Sequence, residues 1–174
     1  MQGVSGMLYQ DNTKGALSSI PWFLELNQVE MERLADISFL RQVKTGEDLF
    51  VEGEKEDFLY IVLEGQLSLE IYIPTRGRMC IFTAEPLDII GWSSMTPVAR
   101  QRTASARATV PCKLIGFDAE ALNRYCEEDQ HVGFIIMRRL SNVIASRLLT
   151  TRIHLMDAFV YPSHKPSLSR TTLE

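Results

Sequence analysis

Three glycines, Gly46, Gly53 and Gly65, punctuate short apolar runs in residues 44–67. This spacing restricts the fold more than any other feature of the chain. The stretch reads Lys44-Thr45-Gly46-Glu47-Asp48-Leu49-Phe50-Val51-Glu52-Gly53-Glu54 and resumes as Asp57-Phe58-Leu59-Tyr60-Ile61-Val62-Leu63-Glu64-Gly65-Gln66-Leu67. Glycine at the ends of such runs marks sharp reversals that demand positive φ. Leu49, Phe50, Leu59, Tyr60, Val62 and Leu67 then become core positions, and the acids between them become solvated turn residues. Taken alone, the stretch predicts a β-roll with tight turns.

The pattern continues on both sides. Leu67, Leu69, Ile71 and Ile73 alternate, and Tyr60 and Val62 extend the alternation backwards. Further short runs occur at Met79–Phe82 and Ile89-Ile90, and residues 103–117 supply two more strands, broken at Pro111. Many short strands at close spacing indicate an antiparallel sandwich or barrel. Residues 1–18, with a turn cluster at Asp11-Asn12-Thr13-Lys14-Gly15, read as a flexible N-terminal arm. Phe23, Leu26, Val29, Met31, Leu34 and Ile37 recur at near-helical spacing, with Asn27 and Glu30 set for a capping box. The roll and its flanking helices occupy 19–130.

After Asp118, a good N-cap, the helical period returns through Ala119, Leu122 and Tyr125. A long helix is predicted over 131–156. Met137, Leu140, Ile144, Leu148, Thr151 and Leu155 form one stripe on it, and Val132, Ile136 and Val143 form a second face. Two apolar faces need two packing partners. One is the sheet; the other is a second copy of the chain, so a homodimer is expected, the alternative being a single broad face packed wholly inside the monomer. Residues 157–174, rich in Pro, Ser and Thr, read as a flexible tail.

The formal net charge is −4, yet residues 89–117 hold Arg100, Arg102, Arg107 and Lys113 and no acid. Such a segment is either an anion site or a solvated face. Arg100 and Arg107 are read as solvated. Cys80, Cys112 and Cys126 are scattered, without C-x-x-C, and His131, His154 and His164 share no ligand-type spacing. This argues against zinc, iron–sulfur and redox-pair chemistry and for a cytoplasmic setting. There is no P-loop, G-x-S-x-G or H-E-x-x-H, so no catalysis is expected. No apolar run is long enough to span a bilayer, and no export signal opens the chain.

The pattern G-E-x-L-F-x-E-G-E-x-x-D-x-L-Y-x-V-x-x-G-x-L over Gly46–Leu67 resembles the cyclic nucleotide-binding domain family. The resemblance covers about Pro21 to Leu155. It implies a mainly β fold with flanking α-helices: a jelly roll, or double-stranded β-helix, ending in a long C-terminal helix that often dimerises. The family's phosphate-binding cassette matches Gly91-Trp92-Ser93-Ser94-Met95-Thr96-Pro97-Val98-Ala99-Arg100-Gln101-Arg102-Thr103-Ala104. Arg102 falls on the phosphate-binding arginine and Thr103 on the adjacent hydroxyl. The implied effector is a cyclic nucleotide, cAMP or cGMP, whose phosphodiester suits a guanidinium fork. Backbone amides of a short helix opening near Trp92 would add donors.

One position departs from the family. Trp92 stands where a glutamate should hydrogen-bond the ribose 2′-hydroxyl. An indole donates but cannot accept. Losing that charge-assisted bond costs about 1.5–3 kcal/mol, and Ser93 or Ser94 would replace it only in part. Trp92 reads as a packing residue that lids the cassette. The cassette thus keeps its anion end and loses its ribose end. A cyclic nucleotide bound differently, another anion, and no ligand at all stay open.

The segment from Arg139 through Arg147 and Leu148 resembles the dimerising helix of the catabolite activator group. Thr151 then falls near the position that contacts the adenine amino group; as a stripe residue it equally suits a helix interface. Transcription factors of that group carry a helix-turn-helix after this helix. Only 18 residues follow Met156, with Pro162 and Pro166 among them, so no DNA-binding module is expected. The expected molecule is a stand-alone regulatory module, bacterial and homodimeric, that senses an anionic effector and signals to a separate protein partner; the alternatives are a degenerate dimerisation or interaction module that binds no ligand, and a sensor of a different effector such as haem or an organic anion.

Overall fold

The strand that organises the molecule, β3 (Phe58–Glu64), is buried on both faces. In a computed structural model describing residues 13–55, 57–96 and 101–160, alternate β3 side chains serve two separate cores. Leu59 and Ile61 join a core shared with the helices, and Tyr60 and Val62 join a core between two sheets. β8 (Cys112–Asp118) does the same, with Ile115 and Phe117 on one side and Cys112 and Leu114 on the other. Strands covered on both sides read as continuous apolar runs, not as alternation.

The remaining strands are β1 (Ser38–Val43), β2 (Asp48–Phe50), β4 (Leu67–Ile73), β5 (Gly77–Ala84), β6 (Ile89–Ile90) and β7 (Ser105–Ala108). They form two four-stranded antiparallel sheets, ordered β1-β8-β3-β6 and β2-β7-β4-β5. This is the jelly roll that the sequence implied. Gly46, Gly53 and Gly65 all adopt positive φ, as their positions require. Gly65 is the most constrained, because a Cβ there would overlap the Pro111 carbonyl and Cys112.

Helices close the outer face of the β3–β8 sheet. α2 (Gln28–Asp36) begins with the expected capping box: Asn27 accepts from the Glu30 amide at 3.0 Å, and Glu30 accepts from the Asn27 amide at 2.7 Å. α3 (Ala119–Glu128) is capped by Asp118, which accepts from the Ala121 amide at 2.8 Å. α4 (Gln130–Val160) is longer at both ends than the 131–156 expected. Val132, Ile135, Ile136 and Leu140 bury its first half. The predicted stripe is mostly not the buried face: Leu140 is buried and Ile144 half-buried, but Met137, Leu148, Thr151 and Leu155 are exposed, as are Leu149, Ile153 and Met156 outside the stripe.

The N-terminal arm is shorter than the sequence suggested. Residues 13–18 are helical, here called α1, and Leu17 and Ile20 are fully buried. The turn residues Gly15 and Lys14 therefore lie within a helix anchored by Leu17, and tertiary burial overrides their local preference. Residues 157–160, placed in the flexible tail by composition, continue α4. The rest of that tail, and positions 1–12 of the arm, lie outside the described residues.

Two glycine substitutions separate strain from propensity. Gly65→Ala is expected to lower unfolding free energy by about 2–4 kcal/mol. Gly15→Ala, on α1 with open space around it, is expected to raise it by about 0.5–1 kcal/mol. Urea unfolding of both variants checks the contrast.

Candidate effector site

Arg102 is only 5% exposed, although it carries a formal charge. The glycine-punctuated motif builds its socket. The Arg102 amide donates to the Glu54 carbonyl, and the Arg102 carbonyl accepts from the Gly53 amide, each at 2.9 Å. The side chain then lies with its guanidinium carbon 4.1 Å from the centre of the Phe50 ring. Its Nη2 donates to the Phe58 carbonyl at 2.8 Å. Phe50 in turn stacks on Tyr60, at 6.4 Å between ring centres. A cation held on an aromatic face, with a carbonyl in its plane, is a recognised way to keep a guanidinium out of water.

Gly91 completes the socket. It adopts φ 72, ψ 24 and opens a four-residue 3-10 turn, Trp92–Met95. A Cβ at this position would overlap Arg102 Nη1 and come within 2.9 Å of the Phe58 carbonyl. Glycine here is thus required twice, by conformation and by the flush approach of the arginine.

Gly91, Trp92, Ser93, Arg102 and Thr103 line one hollow, together with Phe50, Leu69, Ile90 and Ala104. Five of the seven residues singled out from sequence are therefore brought together. Ser94 is not part of the lining; its hydroxyl donates to the Gly91 carbonyl at 2.8 Å and its amide to the same carbonyl at 3.1 Å. Of the backbone amides near Trp92 expected to add donors, that of Ser94 is spent on the turn. Thr151 is exposed on α4, outside the lining. The cation Arg107 is exposed, as expected; Arg100 lies outside the described residues.

The hollow is small, about 40 Å³, roughly the room of one or two waters. Trp92, half-buried, lines it and also packs on the helix-side core. The indole is therefore shared between the wall of the hollow and the helix-side core.

Sequence reasoning missed the walls Phe50, Leu69, Ile90 and Ala104 as site residues. The signal was present for Phe50, which sits inside the diagnostic motif but was assigned only to the core. It also missed Arg147. This α4 side chain lies over Phe82 of β5, its guanidinium carbon 2.9 Å from the ring centre. Its Nε and Nη2 are buried with no hydrogen-bond partner among the described residues. Burial pushes its pKa down to about 10, partly opposed by Asp88, so it remains cationic at neutral pH. Phe82 is the register partner of Leu69, a wall of the hollow. One strand pair thus separates the hollow from the long helix.

A family model described as the cyclic nucleotide-binding domain matches residues 40–129. The chain belongs to the cyclic nucleotide-binding domain family. A CRP-like cAMP-activated global transcriptional regulator of Mycobacterium tuberculosis is 27% identical over 112 residues, covering 64% of this chain and 48% of the regulator. The chain thus spans about half the length of the curated relatives it matches. Among solved structures, a candidate cyclic nucleotide-binding protein from Geobacter metallireducens GS-15 superposes with a TM-score of 0.65 at 28% identity, covering 78% of this chain and 97% of that one. The sensor domain of the transcriptional regulator DNR from Pseudomonas aeruginosa shares the fold, with a TM-score of 0.66 at 21% identity over 80% of this chain and 93% of that one. No helix among the described residues is long and apolar enough to cross a membrane.

Within the socket, Gly91→Ala is expected to destabilise the fold by about 2–4 kcal/mol, since it adds both strain and overlap. Ser94→Ala removes only a local turn bond and should cost under about 1 kcal/mol. Chemical denaturation followed by tryptophan fluorescence distinguishes the two.

Proposed function

We propose that this chain is a non-catalytic regulatory module that binds a small anionic effector beside Arg102 and passes the change to a partner through α4. The observation that carries this reading is the buried Arg102 guanidinium, lining a hollow that the family motif itself constructs. A cyclic nucleotide, cAMP or cGMP, is the first candidate, because its phosphodiester matches the guanidinium fork. Trp92 in the place of an acceptor weakens the ribose end, so a related anion is the alternative effector.

In this reading the effector displaces Trp92 and enlarges the hollow. The displacement reaches Leu69, then Phe82, then Arg147 on α4. A ligand that favours the enlarged arrangement shifts the population towards it. Thr151 would meet an effector only after α4 has moved.

The exposed apolar half of α4 supports a homodimer. Leu148 is 69% exposed, and Leu149, Ile153, Leu155 and Met156 are each more than half exposed. A long helix with such a face is best covered by its own copy. Cys80, Cys112 and Cys126 are unpaired thiols, which favours a reducing, cytoplasmic setting.

Isothermal titration with cAMP and cGMP tests the effector. Heat with the wild type, and an affinity about 10- to 100-fold lower in Arg102→Ala, is expected. No heat with either nucleotide at high protein concentration removes the nucleotide from the reading. Dimerisation is tested separately: analytical ultracentrifugation should give a dimer at micromolar concentration and a monomer for the double variant Leu148→Glu, Ile153→Glu. A monomeric wild type overturns it.

A further inference from the structure

Among residues that do not line the hollow, a buried carboxylate and a half-exposed imidazole meet beside the junction of α3 and α4. Glu30 is 7% exposed. One of its oxygens is committed to the Asn27 amide in the capping box. The other, Oε1, lies 2.8 Å from Nδ1 of His131, the second residue of α4. A single residue, Asp129, separates α3 from α4, and its backbone is extended (φ −124, ψ 102). Its Oδ1 accepts from the amides of His131 at 3.1 Å and Val132 at 3.2 Å, so it caps α4 at the elbow.

The other ties at this junction are indifferent to pH near neutrality. The Tyr125 hydroxyl donates to the Glu30 carbonyl at 3.1 Å, and burial pushes its pKa up to about 12. Arg33 covers the Tyr125 ring at 4.2 Å and pairs with Glu128 at 2.6 Å. Arg138 of α4 pairs with Glu25 at 2.6 Å. Guanidinium groups keep their charge throughout the physiological range. Among the described residues of this knot, His131 alone is of a type that changes charge there.

We propose that the Glu30–His131 pair is a proton-operated tie that fastens the elbow of α4 to helix α2. The inference rests on the helix junction and not on what occupies the hollow. The hydrogen bond that the His131 ring donates to Glu30 raises the His131 pKa above its ordinary value of 6.5. Desolvation works the other way, while the negative charges of Glu30, Asp129 and Glu25 add to the rise. The amino-terminal end of the α4 dipole opposes a cation at this position, and the carboxylate 2.8 Å away works against it.

A raised pKa fixes the sign. The tie is fully present below the unfolded histidine value and is lost as pH climbs through the folded one. The neutral imidazole can still donate from Nδ1, but the bond is no longer charge-assisted on both sides, so the tie weakens without vanishing. The elbow is therefore held more firmly in mildly acidic than in alkaline surroundings.

The test uses the full chain. The His131 ring is titrated by NMR in wild type and in Glu30→Gln, which keeps a capping-box residue but removes the charge. Hydrogen exchange of amides 129–136, corrected for intrinsic rates, is compared at mildly acidic and mildly alkaline pH in wild type and in His131→Gln. His131 should titrate above the ordinary value in wild type and fall towards it in Glu30→Gln. Elbow protection should drop several-fold at alkaline pH in wild type and stay level in His131→Gln. A His131 titration unmoved by Glu30→Gln overturns the proposal, as does an equal pH dependence of protection in His131→Gln. Should Glu30→Gln fail to fold, the wild-type and His131→Gln comparison decides alone.

Discussion

The structure depends on keeping one guanidinium inside a β-roll. Taking an arginine out of water carries a penalty of several kcal/mol unless its charge and donors are met. Here the Phe50 ring faces the Arg102 guanidinium and the Phe58 carbonyl accepts from its Nη2, while the missing side chain of Gly91 leaves room for Nη1. Each of these comes from a different turn or strand. The backbone bonds of Arg102 to Gly53 and Glu54 hold the loop carrying it against the loop carrying the glycine-rich motif. The motif is therefore the frame in which a buried cation is tolerated.

This explains how the same residues act as fold signal and site signal. Gly46, Gly53 and Gly65 identified the turns because positive φ leaves a visible mark in composition. The caps at Asn27 and Asp118 were equally legible, since each rests on a side chain within three residues of the amide it serves. Most strands were visible as apolar runs, and Arg102 and Gly91 were placed by the resemblance.

Other parts were illegible for physical reasons. Phe50 looked like core because stacking on a cation and packing on Tyr60 use the same ring. The contact of Arg147 with Phe82 joins positions far apart in the chain, with no local pattern to reveal it. Residues 13–18 read as an arm because their composition is turn-like; the burial of Leu17 against the helix-side core decided otherwise. The apolar residues of α4 were visible, but the face that the roll covers, Val132, Ile135, Ile136 and Leu140 with Val143 half-buried, is not the predicted stripe, most of which stays exposed. Which face is covered depends on where the sheet ends, and helical spacing does not encode that.

The narrowness of the hollow has a kinetic meaning. A space with room for one or two waters cannot admit a nucleotide by simple docking. Any sizeable guest must wait for a rarer, swollen form of the roll, so its apparent affinity is scaled down by the fraction of molecules in that form. In the proposed reading, where the effector displaces Trp92, capture is limited by how often the indole swings aside, and the rate of uptake levels off as guest concentration rises.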